Sequence, residues 1–334
     1  MRKHCWPAYR AYLQRSKKPV LVGPFRGEVG FEALYWVPFL RKLGLSRERM
    51  IPVTRGGAHL WYPANQHVEL FDLRDPRDVR VENIYQHKQT GMLKQTHVSA
   101  FDKGVIKDAA AKLGLTSYDV LHPSWMYQTL EPYWQGDRGL TWLMERTAYE
   151  PLPLIEADGL TLPSEYVAVR FYYRHTFPVS DVTKALAIAT IKTLAERHQV
   201  VVLNGNVHAD EHADVPLPDL PSVLQLKNLG ALTPQNNLAL QSAILSKALG
   251  FVGTYGGLAQ LAMLYRRPTV SFFTDWGGTA LAHKHLADAL AMSLGVANHV
   301  LRVTDVPLLR EVLPALALEA APSTGTVDPV FASA

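Results

Sequence analysis

Cysteine is almost missing from this chain: one residue, Cys5, in 334. A lone thiol excludes an internal disulfide framework and any zinc site built on several thiolates, and it predicts a reducing compartment. Long apolar runs are missing too. Nowhere do about 18 consecutive apolar residues occur, and the basic start MRKHCWPAYRAYLQRSKKP leads into no apolar run of about seven or more. The reading is a cytoplasmic chain without membrane span or signal peptide. A dominant charge is also absent, since 34 Lys and Arg against 30 Asp and Glu leave a net +4. That balance suits an anionic small ligand or an acidic membrane surface, and it lacks the basic stripe expected of a nucleic-acid binder.

Several motifs are missing as well. The glycines of GPFRGEVGFE match neither GxGxxG with a distant acid nor GxxxxGK[ST], which removes the dehydrogenase and P-loop kinase readings. His208, Asp210, Glu211, His212 and Asp214 are metal-ligating types, yet HExxH is absent and the stretch runs into VPLPDLP, which cannot stay helical; no metal is expected.

What is present is an α/β rhythm. Residues 19–25 (PVLVGPF) read as a strand buried on both faces, followed by a Gly-rich turn and a helix that stops at Gly44. Residues 50–54 read as a second strand. From 56 to about 142 the pattern breaks into short pieces, with VSAFDKGVIKDAAAKLGL helical near its end and VLHPSWMYQTLEPYW an aromatic loop or short helix. The proline-rich stretch 150–165 reads as a linker, dividing domains at 1–150 and 151–321, and 322–334 as a flexible tail. In the second domain strands at 166–172, 200–203, 223–226, 250–252 and 269–273 alternate with helices at 181–197, 237–248 and 257–265. That order implies right-handed crossovers and a doubly wound parallel sheet.

Four groups of residues are candidates for chemistry. At Gly253-Thr254-Tyr255-Gly256-Gly257 a strand ends and a helix begins, so unpaired N–H groups and the positive helix end meet where a phosphate can sit. Arg170, Arg174 and His175 follow the first strand of that domain, at the edge where open α/β sheets bind ligands. Asn204, Gly205 and Asn206 end the next strand, either lining the same pocket or only turning the chain. In the first domain Arg26, Gly27, Glu28 and Glu32 lie in or beside the first strand-to-helix loop. Both carboxylates either favour the helix N-terminus or supply a general base, for which Glu28, in the loop itself, is better placed. The aromatic pairs around Trp61, Trp125 and Trp134 read as core rather than sugar-stacking platforms. His283 and His285 follow the last core strand.

The segment 248–273, with helix, short strand, glycine turn, helix and the strand Arg267-Pro268-Thr269-Val270-Ser271-Phe272-Phe273, resembles the nucleotide-binding domain of GT-B glycosyltransferases, with heptosyltransferase-like and Kdo-transferase-like enzymes as neighbours. The resemblance spans about 166–290, and Thr254-Tyr255 replace its usual acidic residue. It implies two Rossmann-like domains facing a cleft and a nucleotide-sugar as co-substrate held by Arg170, Arg174, Asn204, Gly205, Thr254, Tyr255, Gly256 and Gly257. It further implies a glycan or lipid-linked acceptor near Arg26, Gly27 and His175, a base at Glu28 or Glu32, no metal cofactor, no nucleic-acid partner, and peripheral contact with the inner membrane face. A nucleotide-sugar epimerase or hydrolase, or a noncatalytic nucleotide- or glycan-binding protein, remain the alternatives.

Overall fold

The computed structural model describes residues 5–90, 95–156, 159–205, 212–217, 220, 222–229, 232–276 and 280–303. Asn206, His208 to Glu211, residues 277–279 and 322–334 lie outside them. Two compact units divide the chain: unit 1 comprises Met1–Glu150, Gly205–His212 and Ala231–Gln241, and unit 2 comprises Pro151–Asn204, Ala213–Gly230 and Ser242–Ala334.

Unit 1 is built on a parallel sheet of β1 (Val20–Val22), β2 (Met50–Thr54), β3 (Val68–Glu69) and β4 (Asp119–Leu121), in the order β3-β2-β1-β4. All five residues of MIPVT are buried, as a strand covered on both faces requires. Leu21, Ile51 and Val53 form one core with Val79 of helix Pro76–Thr90 and Val105, Ile106 and Ala109 of helix Ala100–Lys112. The predicted strand at 19–25 stops at Val22, because Gly23 takes a φ of 129° and leaves extended geometry. Beyond it, Val29–Phe31, a π-helical turn at Glu32–Trp36 and Val37–Leu43 form one continuous helix that ends on Gly44 at φ 70°. The weakly patterned stretch 56–142 is largely helical: besides the two helices above it holds Ser124–Trp134, which the sequence left open between loop and helix, and Leu140–Met144.

Unit 2 carries β5 (Val167–Arg170), β6 (Tyr172–Tyr173), β7 (Val200–Val202), β8 (Ala213–Asp214), β9 (Val223–Gln225), β10 (Gly250–Thr254), β11 (Thr269–Phe273) and β12 (Asn298–Arg302). Six of these make a parallel sheet in the order β12-β11-β10-β5-β7-β9, while β6 and β8 pair antiparallel in a small ribbon of their own. Counted along the chain, the main sheet reads 3-2-1-4-5-6 from the β9 edge, which is the doubly wound Rossmann order. Its connections reverse direction between β5 and β10, and ligands of such sheets bind at the carboxyl ends of the strands flanking that switch point. Val167, Val169, Val252, Val270 and Phe272 form the core of this unit with Leu186 and Ile191 of helix Asp181–Ala195. Gly253 sits opposite Arg170, and a Cβ on it would collide with the Arg170 carbonyl, so close pairing of β5 with β10 demands glycine. The helix Ala280–Leu294 and the half-exposed strand β12 extend the fold past the last predicted strand. Among the described residues no helix is long and apolar enough to cross a membrane.

Candidate functional site

In unit 2 the switch point falls where β5 and β10 end, and both exits are occupied by residues with ligand-binding chemistry. After Arg170 the chain leaves the main sheet and Tyr172 pairs with Asp214 across the β6–β8 ribbon. This pairing sets the Asp214 carboxylate beside β5, where Arg170 Nε donates to its Oδ1 at 2.9 Å; the Arg170 guanidinium also lies 5.4 Å from the Tyr172 ring centroid. The chain then reverses in a tight turn. The N–H groups of Arg174 and Phe177 each donate to the other's carbonyl at 3.0 Å, leaving His175 exposed at the tip. The Thr274 N–H donates to the Thr176 carbonyl at 2.8 Å and ties this turn to the end of β11.

Gly256 is the centre of the arrangement. It precedes helix Gly257–Leu264, and a Cβ there would collide with the Tyr172 hydroxyl and lie 2.8 Å from Arg174 Nη1. Only glycine lets a guanidinium and a phenol hydroxyl stand directly on the first turn of this helix. Guanidinium, hydroxyl and the unpaired N–H groups of a helix start are all donors, and the helix end adds roughly half a positive charge. Donors arranged in this way can hold an anion, and a phosphate has the charge and acceptor oxygens to meet several of them.

Two predicted members of this cluster turn away from it. The Thr254 hydroxyl is fully buried; it accepts from the Tyr172 N–H and donates to the Tyr172 carbonyl, both at 3.0 Å, and so fastens β10 to β6. Tyr255 packs inward, with its ring edge against Trp276 at 5.5 Å and Trp276 stacked on Phe273 at 3.7 Å. Burial pushes its phenol well above the ordinary range. Each side chain satisfies an interior need. Asn204 is buried, with Nδ2 donating to the Val215 carbonyl at 3.2 Å and Oδ1 lacking a partner among the described residues. Gly205 is counted with unit 1, where a Cβ would lie 2.6 Å from Asn237 Oδ1. Lys247 pairs with Glu156 at 2.6 Å, and His283 and His285 fall on helix Ala280–Leu294.

In unit 1 the corresponding loop leaves β1. The N–H groups of Gly23 and Phe25 donate to the carbonyls of Leu121 at 2.9 Å and Val53 at 2.8 Å, so the chain is held between β4 and β2 as it leaves the sheet. Arg26 then turns inside. Its guanidinium donates to Asp102 at 2.9 and 3.3 Å and to Asn83 at 2.6 Å, with no exposed side-chain surface, and Asp102 also meets His122 Nε2 at 3.2 Å. Burial alone would raise the Asp102 carboxyl, yet the hydrogen bond to His122 and the charge of Arg26 hold it well below the usual range. Gly27 lies between Phe25 and the Tyr127 hydroxyl, which would be 3.2 and 3.1 Å from a Cβ.

Glu32 is likewise interior. Its carboxylate accepts from Thr54 Oγ1 at 2.5 Å, Tyr62 hydroxyl at 2.6 Å and Arg55 Nη1 at 2.8 Å, and is fully buried. Burial raises its pKa against the pull of Arg55 and those donors, and the carboxylate touches no open surface. Glu28 differs: it is half-exposed at the head of helix Val29–Phe31, and its side chain makes no cap hydrogen bond. The pairing of Asp214 with Arg170, and of Arg26 with Asp102 and His122, escaped the sequence reading, since Arg170 and Asp214 are 44 residues apart, Arg26 and Asp102 are 76 apart, and they share no motif. The aromatic residues Trp61, Trp125, Tyr127, Tyr133 and Trp134 are buried. Among the described residues no group of three or more His, Cys, Asp or Glu could hold a metal ion.

No family model matches the sequence, and no curated protein matches it. Solved structures do show likeness. The E. coli heptosyltransferase WaaC with ADP is 12% identical, with 89% of this chain and 99% of that one covered, at a TM-score of 0.45. The bacterial iron-containing dodecameric glycosyltransferase TibC from enterotoxigenic E. coli is 16% identical, over 78% of this chain and 59% of that one, at 0.39. The glycotransferase of kitacinnamycin is 12% identical over 90% and 91%, at 0.38. What the chain itself establishes is its two strand orders: a pair of Rossmann-like α/β units, each with a switch point at which a ligand can sit.

Proposed function

We propose that this protein is a glycosyltransferase that takes a nucleotide-sugar donor and moves its sugar to a hydroxyl of a glycan or lipid-linked acceptor. The observation that carries the reading is the convergence at Gly256, where Arg174 Nη1 and the Tyr172 hydroxyl crowd onto the start of helix Gly257–Leu264 at the switch point of unit 2. A nucleoside diphosphate leaving an anomeric carbon develops negative charge on its phosphate oxygens, and preorganised donors of this kind stabilise it. In this reading Arg174 and the helix start take the diphosphate without a metal, and Arg170, held by Asp214, sets the edge of the pocket. Glu28 is the base: its carboxylate takes the acceptor hydroxyl proton, the oxygen attacks the anomeric carbon, and the bond to the diphosphate breaks. The resemblance of residues 166–290 to GT-B nucleotide-binding domains supports the same assignment.

The test is thermal denaturation of the full chain with UDP, GDP, ADP, CMP and their sugars, since a ligand of the native state alone raises apparent stability. Stabilisation by one series names the donor. No shift in folded protein with any series removes the donor site. With the donor known, sugar release to water without an acceptor would turn the reading to hydrolysis.

A further inference from the structure

A groove of about 530 Å³ lies in unit 1, lined by helices Trp6–Arg15 and Val37–Leu43 together with Thr129, Glu145 and Arg146. It includes no residue of the loop from Gly23 to Glu28, and its volume falls in the range of small-molecule sites, roughly 300–1,000 Å³. We infer that this groove is a binding site for a phosphate-bearing amphiphile, with Arg10, Lys42 and Arg146 taking the phosphate and Trp6, Phe39 and Leu43 the apolar part. The inference is independent of the glycosyl-transfer reading.

Charge carries the first half of the argument. Arg10 and Lys42 are exposed and have no hydrogen-bond or ion-pair partner among the described residues. Arg146 lies 4.1 Å from the Trp142 ring centroid, and its Nη1 donates to Glu145 Oε2 and to the Trp142 carbonyl, both at 2.9 Å. Glu145 is the one carboxylate of the lining, so three cations face one anion that is already paired. The sequence extends this imbalance: Arg2, Lys3, Arg10, Arg15, Lys17 and Lys18 all fall within residues 1–18, which contain no Asp or Glu. A dianionic phosphate with several acceptor oxygens suits a guanidinium beside an ammonium better than a single carboxylate does.

The apolar half follows from the walls. Trp6 stacks on Phe39 with centroids 5.0 Å apart, and Leu43 continues the same side, giving a hydrophobic floor beside the cations. A purely inorganic anion leaves that floor wet, whereas an amphiphile covers it and gains the corresponding transfer free energy.

Isothermal titration of the full chain with dihexanoyl phosphatidic acid below its micellar concentration tests the site, alongside inorganic phosphate and dihexanoyl phosphatidylcholine. The expected result is measurable binding of the phosphatidic acid, weaker binding of the other two, and a loss on the order of tenfold or more in Arg10→Ala/Lys42→Ala, both residues being exposed enough to spare the fold. Co-sedimentation with phosphatidylglycerol vesicles separates the sources. Binding of vesicles as well, lost in the same variant, assigns the phosphate to a bilayer surface; binding of the short-chain lipid alone assigns it to a soluble amphiphile. Equal affinity in the double variant, inorganic phosphate binding as tightly as the lipid, or no binding of the lipid to the parent protein overturns the inference.

Discussion

At Gly256 one missing carbon decides what the turn can do. Restoring it in Gly256→Ala forces the Tyr172 hydroxyl and Arg174 off the helix start. Arg174→Ala removes one charged donor and leaves the backbone alone. Both variants should weaken nucleotide binding, Arg174→Ala by about 1.5–3 kcal/mol in a titration with the stabilising nucleotide; unchanged affinity in both would dismiss the phosphate site. The two glutamates of unit 1 separate in the same way. Glu32→Gln leaves Arg55 buried without its charged partner and should destabilise folding by about 3–5 kcal/mol in urea denaturation. Glu28→Gln, at a half-exposed position, should leave stability nearly unchanged and lower turnover. Parent-like turnover excludes Glu28 as base, and an unaltered urea midpoint in Glu32→Gln contradicts the buried network.

The end of β3 carries a pH response. Glu69 accepts from the N–H groups of Gly56 at 2.8 Å, Gly57 at 3.0 Å and Phe71 at 3.1 Å, and burial nevertheless raises its pKa from 4.5 to about 7. The folded protein therefore holds a proton that the unfolded chain has released, so this carboxyl's contribution is fully present below about pH 4.5 and is lost as pH rises to about 7. The melting temperature should decline across that window, by the equivalent of on the order of 3 kcal/mol, and Glu69→Gln should flatten it. An identical pH profile in the variant would show that other groups set it.

Elements also show what the sequence made readable. The runs MIPVT and TVSFF are strands at the predicted bounds, because continuous burial on both faces writes itself as continuous apolar residues. Helix Pro76–Thr90 escaped notice because PRDVRVENIYQHKQT exposes Val81 and Tyr85 and buries Asn83 and Gln86, inverting the usual pattern. Pro132 and a wealth of aromatics left Ser124–Trp134 open between an aromatic loop and a short helix. The glycine turn was legible since its chemistry lies in backbone geometry. The fates of Thr254, Arg26 and Glu32 were not, since Tyr172, Asp102 and Arg55 reach them only through the fold.

On the scale of the whole chain, each unit has its own parallel sheet and its own buried cluster, so ligand effects can be assigned to one of them. A nucleotide held at Gly256 should protect unit 2, adding about 2.7 kcal/mol to its stability at a hundredfold excess over Kd. Hydrogen exchange should slow in β5, β10 and helix Gly257–Leu264; equal protection of β1 and β2 would argue against a site confined to unit 2.

Trp276 bears on how such effects are observed. Of the seven tryptophans, six (Trp6, Trp36, Trp61, Trp125, Trp134 and Trp142) belong to unit 1, and Trp276 alone belongs to unit 2. Its indole is stacked on Phe273 and meets the ring of Tyr255, the residue immediately before Gly256. Protein grown on 5-fluorotryptophan would therefore give a fluorine spectrum in which one resonance speaks for the Gly256 turn and six for the other unit, a division of labels already present in the natural sequence.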